Sequence, residues 1–128
     1  MASWPFDIWG LDIVESFSKP SGGHIFILAA IDYFTKWTET VPLREVKKEN
    51  VIDFIHQHII YPYEIPCSII TNNGKSFYNT AMNRLCEKFN FKQYNSFMYY
   101  AAANGFVETF NKTLCNLLKK IMDKSKKD

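Results

Sequence analysis

Ile25-Phe26-Ile27-Leu28-Ala29-Ala30-Ile31 is a run of seven apolar residues with no position to spare for water. A half-exposed strand alternates, so a run apolar on both faces belongs to a strand covered on both sides, as in the middle of a layered α/β sheet. At about a third of the length needed to cross a bilayer, it is not a membrane span. The turn-forming cluster Ser18 to Gly23 precedes it, and Ile8-Trp9-Gly10-Leu11-Asp12-Ile13-Val14 before that is rich in strand formers. The two runs read as a hairpin whose second strand is central.

The remaining chain supplies the cover. Trp37-Thr38-Glu39-Thr40-Val41 alternates and meets Pro42, which predicts a third, more exposed strand stopped by the proline. From Lys47 to about Tyr61, Val51, Phe54, Ile55 and Ile59 recur at steps of three and four, describing an amphipathic helix that ends before Pro62. Cys67-Ser68-Ile69-Ile70-Thr71 is a short fourth strand between Pro66 and the turn residues Asn72-Asn73-Gly74. A helical stretch with Met82, Leu85, Cys86 and Phe89 follows, and Phe91 to Asn95 supplies a fifth strand. From about Asn104 to Asp123 the apolar residues, Phe106 and Leu114 among them, fall on one helical stripe. The order βββαβαβα predicts an α/β domain with a five-stranded mixed sheet flanked by helices.

At 128 residues, 47% hydrophobic and 16% aromatic, the chain can enclose one core but not two. Residues 1–128 therefore read as a single domain, with 1–3 as a short leader and the basic 124–128 as a disordered tail. The opening lacks the charged-then-apolar pattern of a secretion signal. Cys67, Cys86 and Cys115 match no zinc spacing, and an odd count argues against a disulfide framework, so a reducing nuclear or cytoplasmic setting is expected. Net charge is only +2, with Lys119, Lys120, Lys124, Lys126 and Lys127 crowded at the end, so any nucleic-acid contact is local.

Three residues occupy places from which side chains can converge on one edge of such a sheet: Asp12 in the first strand, Asn72 just after the fourth, and Glu108 in the last helix. With Trp9-Gly10-Leu11-Asp12, Ile69-Ile70-Thr71-Asn72-Asn73-Gly74, Asn104-Gly105-Phe106-Val107-Glu108 and Ala30-Ile31-Asp32-Tyr33-Phe34-Thr35-Lys36-Trp37 in this order, the chain resembles the catalytic core of integrases from gypsy-like long-terminal-repeat retrotransposons, over Trp4 to Met122. The resemblance implies a ribonuclease-H-like fold and a polynucleotidyl transferase performing 3′-end processing and strand transfer of retroelement DNA. It also implies two Mg²⁺ or Mn²⁺ ions held by three acids, a homodimer, and DNA ends and target DNA as partners.

The family has aspartate where this chain has Asn72, so the catalytic and metal-binding positions are Asp12, Asn72 and Glu108, a degenerate triad with weakened metal binding. A neutral amide cannot bridge two dications as a carboxylate does. Glu15 and Asp32 offer no convincing replacement: Glu15 falls on the opposite face of its strand from Asp12. The segment Ser96 to Gly105 also lacks the family's usual proline and glutamine. Asn73, Asn104, Lys112 and Lys119 are the expected DNA contacts, although Asn73-Gly74 is also an ordinary turn pair and Lys112 an ordinary helix partner of Glu108. His56 and His58 diverge on a helix and are expected to be surface residues rather than a metal pair. The alternatives to an impaired transferase are a domesticated, non-catalytic module that binds nucleic acid or protein, and a decayed fragment dimerising through Phe54, Phe89 and Tyr61.

Overall fold

The computed structural model describes residues 4–16 and 25–96, with Asn116. Strand β1 (Ile8–Ser16) pairs antiparallel with β2 (Ile25–Asp32), and β2 pairs antiparallel with β3 (Thr38–Leu43). Strand β4 (Ser68–Thr71) joins parallel to β1, and β5 (Lys92–Asn95) parallel to β4. The result is the expected five-stranded mixed sheet, in the order β3-β2-β1-β4-β5. The Ser18–Gly23 turn and, apart from the helical Asn116, the predicted last helix lie outside the described residues.

Strand β2 shows why its sequence admits no polar residue before Asp32. Leu28 and Ala30 enter the larger core with Trp9, Leu11, Val51 and Ile69, while Ala29 and Ile31 pack on the other face with Tyr33 and Ile70. Removing each large side chain from water contributes roughly 1.5–3 kcal/mol, so a polar substitution on either face is costly.

Strand β3 runs through Pro42, which faces Ile27, to Leu43 opposite Phe26, and is not stopped by the proline. It is an end strand of the sheet, where a missing N–H need not cost a ladder bond.

The helix predicted over 47–61 is present but changes pitch: α1 (Lys48–Phe54) passes into a π-helical segment, Ile55–Ile60. There the Tyr61 N–H bonds His56 O at 3.0 Å, and the wider turn keeps Ile55 and Ile59 fully buried. Phe54, expected as a free apolar contact, is a core residue at 3% exposure, because its position on the helix faces the sheet; Phe89 is half-buried and Tyr61 exposed. Helix α2 (Thr80–Phe89) begins at Asn79, whose side chain accepts the Met82 N–H at 2.9 Å, and ends at Asn90 in the left-handed conformation, φ 58°.

Candidate functional site

The sheet register alone brings two of the predicted site residues together. Parallel pairing sets Ile8 beside Ser68, Trp9 beside Ile69 and Gly10 beside Ile70. Two residues further along each chain, Asp12 therefore stands beside Asn72 at the carboxyl end of β4. The Asn72 Nδ2 donates to Asp12 Oδ1 at 3.3 Å, and the Ile13 N–H donates to the same oxygen at 2.8 Å.

The direction of the Asn72 amide is fixed from its other end. Its Oδ1 accepts the Gly74 N–H at 2.8 Å, closing a tight side-chain turn, so the Nδ2 end is the one presented to Asp12. Gly74 leaves room for this turn, since a Cβ on it would lie 2.9 Å from Asn72 Oδ1 and that oxygen would have to shift. The backbone is pinned as well: the buried Thr71 hydroxyl donates to Asn72 O at 2.8 Å and accepts from Gln93 Nε2 on β5 at 2.9 Å. Gln93 Nε2 also reaches Phe77 O at 2.9 Å, tying β5 to the segment before α2.

Burial pushes the Asp12 carboxyl above its usual range, and the hydrogen bonds from the Ile13 amide and from Asn72 offset only part of that rise. Beside the pair the cleft is walled by Gly10, Tyr33, Ile70 and Ser96. The Tyr33 ring lies over Gly10 so closely that a Cβ there would come within 2.7 Å of Tyr33 Cε1. Sequence reasoning did not single out this pair; the signal was a glycine inside a strand, two residues before an acid and on its face.

The other candidates separate. Asn73 is exposed in the turn, while Glu108, Asn104, Lys112 and Lys119 lie outside the described residues. Asp32 is fully buried and committed: Oδ1 accepts the Phe6 N–H at 2.9 Å, and Oδ2 accepts the Thr35 N–H at 2.9 Å and its hydroxyl at 2.6 Å. It holds the corner between β2 and β3 and is not a substitute acid for the cleft. Glu15 is exposed.

The two histidines diverge, as their spacing requires, but neither is a simple surface residue, because the π-helical turn packs both against neighbours. His58 Nδ1 pairs with Glu39 Oε1 at 3.1 Å, and His56 packs against Tyr61 and Phe89 with its Nδ1 buried and, among the described residues, unpartnered. Glu39 gathers further donors from Trp37 Nε1 at 2.5 Å and the Tyr63 hydroxyl at 3.0 Å. Burial raises its carboxyl, but these donors outweigh burial and hold it below its usual range.

Two adjacent dications need charged oxygens that can bridge them. Asp12 offers one, and Asn72 turns an N–H toward it; among the described residues there is no cluster of three or more His, Cys, Asp or Glu. Asp12 and Asn72 as they stand do not fit a pair of bridged cations.

Residues 2–101 match the family model described as integrase core domain. The chain is 28% identical over 117 residues to the Gag-Pol polyprotein of avian reticuloendotheliosis virus, covering 91% of this chain and 10% of that protein. It is 29% identical over 89 residues to the gypsy retrotransposon integrase-like protein 1 of Bos taurus, covering 70% of this chain and 18% of that one. The chain thus spans a small part of the curated relatives it matches. Among solved structures, the HTLV-2 integrase catalytic core domain in complex with magnesium superimposes with a TM-score of 0.70 at 22% identity, over 94% of this chain and 74% of that one. The five-stranded sheet and that superposition establish the ribonuclease-H-like fold, and with the family match over 2–101 the chain belongs to the integrase core domain family.

Proposed function

We propose that this chain is a polynucleotidyl transferase core of the integrase type, built for 3′-end processing and strand transfer of retroelement DNA, in which residue 72 leaves the transferase weak or silent. The observation that carries this is the 3.3 Å bond from Asn72 Nδ2 to Asp12 Oδ1. In this reading Asp12 and Glu108 are the remaining acids, and position 72 supplies a neutral amide whose donor end points the wrong way for a cation. A rate loss on the order of 10³ to 10⁵ corresponds to roughly 4–7 kcal/mol of added barrier.

Mg²⁺ or Mn²⁺, the ions that two-metal phosphoryl transfer employs, bind this chain weakly. DNA is the partner, reached through Asn73, Asn104, Lys112 and Lys119, and the working unit is a homodimer. The HTLV-2 core, solved in a dimeric form with magnesium, supports the choice of metal and the homodimer by analogy. The free thiols Cys67 and Cys86 suit a reducing nuclear or cytoplasmic setting. Calorimetric titration of Mn²⁺ into the protein and into Asn72→Asp tests the proposal: much tighter binding by the aspartate form is expected, and equal affinity for both would refute it.

A second reading has its own support. Asn72 donates directly to Asp12 at 3.3 Å, a contact that needs no cation to hold it, as suits a domesticated module that keeps the fold to bind nucleic acid or protein. That reading predicts salt-sensitive DNA binding with no cleavage even after Asn72→Asp.

A further inference from the structure

We infer that Asn72 is more than a lost ligand: its amide is a tethered replacement for the cation, so that the folded cleft no longer depends on a divalent metal. This deepens the reading of the cleft as an integrase-type centre and rests on it. The starting point is the mismatch between the residues present and a two-cation site.

In an aspartate-bearing cleft of this register, two carboxylates would stand where Asp12 and Asn72 now stand, at hydrogen-bonding distance, and only bound cations or protons could hold them together. Here an N–H fills that role. The amide is oriented rather than free to flip, because the Gly74 N–H occupies its oxygen at 2.8 Å, and a Cβ on Gly74 would crowd that oxygen at 2.9 Å. The turn is held from β5 through Gln93 and Thr71, whose hydroxyl donates to the Asn72 carbonyl. Thr71 and Gly74 beside it in the chain, and Gln93 from β5, thus aim the Asn72 donor at Asp12. Asn73 and Gly74 keep their place whether residue 72 is Asn or Asp, since a carboxylate accepts the Gly74 N–H equally well; only the contact to Asp12 changes sign.

The inference makes a demand that simple loss of a ligand does not. Asn72→Asp should not merely gain metal binding but should weaken the metal-free fold, and the exchanged pair Asp12→Asn with Asn72→Asp should recover it, since an amide would again face a carboxylate. The experiment is thermal unfolding at pH 7.5 of the parent chain, Asn72→Asp, and the double exchange, each in EDTA and in excess Mn²⁺.

The expected result is a parent melting temperature indifferent to Mn²⁺. Asn72→Asp should melt about 5–10 °C lower in EDTA and be restored by Mn²⁺, and the double exchange should lie within a few degrees of the parent in both. Equal melting of parent and Asn72→Asp in EDTA, a parent stabilised by Mn²⁺ as strongly as Asn72→Asp, or a double exchange no better than the single variant would each overturn it. A nicking assay on the same proteins separates the two proposals. If Asn72→Asp cuts DNA but melts like the parent, the tethered amide is wrong and the transferase reading stands. If it melts as predicted but never cuts, the reverse holds.

Discussion

Asp12, Asp32 and Glu39 are three acids of one sheet, and their surroundings give them three different roles. Asp12 is half-buried beside an amide, with its carboxyl raised by burial. Asp32 is fully buried with its oxygens taken by Phe6 and Thr35, so Asp32→Ala removes the acceptor of three donors and should cost about 1–3 kcal/mol in chemical denaturation, with no effect specific to metal or DNA. Glu39 collects Trp37, His58 and Tyr63, which hold its carboxyl low. A carboxyl depressed by folding stabilises at pH above its unfolded value, near 4.5, and that contribution fades as pH falls through the lower folded value. Glu39→Gln should therefore flatten the acid limb of a melting-temperature profile below about pH 5 while leaving the profile above pH 6 parallel to the parent's. Gly10→Ala should drive a Cβ into the Tyr33 ring, costing roughly 1–3 kcal/mol by denaturant unfolding.

At the scale of elements, the parts dictated by local pattern were legible and the parts dictated by neighbours were not. The doubly apolar Ile25–Ile31 run reads directly as a strand buried on both faces, and the positions of Val51, Phe54, Ile55 and Ile59 locate the buried side of the helix. The π-helical pitch over Ile55–Ile60 was not legible, because the same spacing fits an α-helix until the packing of Ile55 and Ile59 under the sheet decides it. Pro42 misled for a related reason: a proline breaks a strand only where its nitrogen must donate, and strand order, not local sequence, puts β3 at the end of the sheet. Helix α2 rests on a legible cap, so Asn79→Ala, which removes the Met82 bond and those to the Lys75 and Ser76 carbonyls, should lower stability by about 1–2 kcal/mol in urea unfolding.

For the whole molecule, the meeting of Asp12 and Asn72 was anticipated as convergence on a sheet edge, and the parallel register of β1 with β4 makes it a contact. The orientation of the amide could not be read from sequence, since it depends on the Gly74 N–H choosing the oxygen. In the reading proposed above, that orientation turns a substituted ligand into a latch, and the central proposal is an integrase-type centre silenced at residue 72. The most direct test is the single-turnover rate of Mn²⁺-dependent strand transfer on a model DNA end, measured for the parent chain and for Asn72→Asp at equal occupancy of DNA. The account predicts that the aspartate form is faster by at least about a thousandfold, roughly 4 kcal/mol of barrier. Equal rates for the two proteins, whether both fast or both undetectable while DNA is bound, would contradict it.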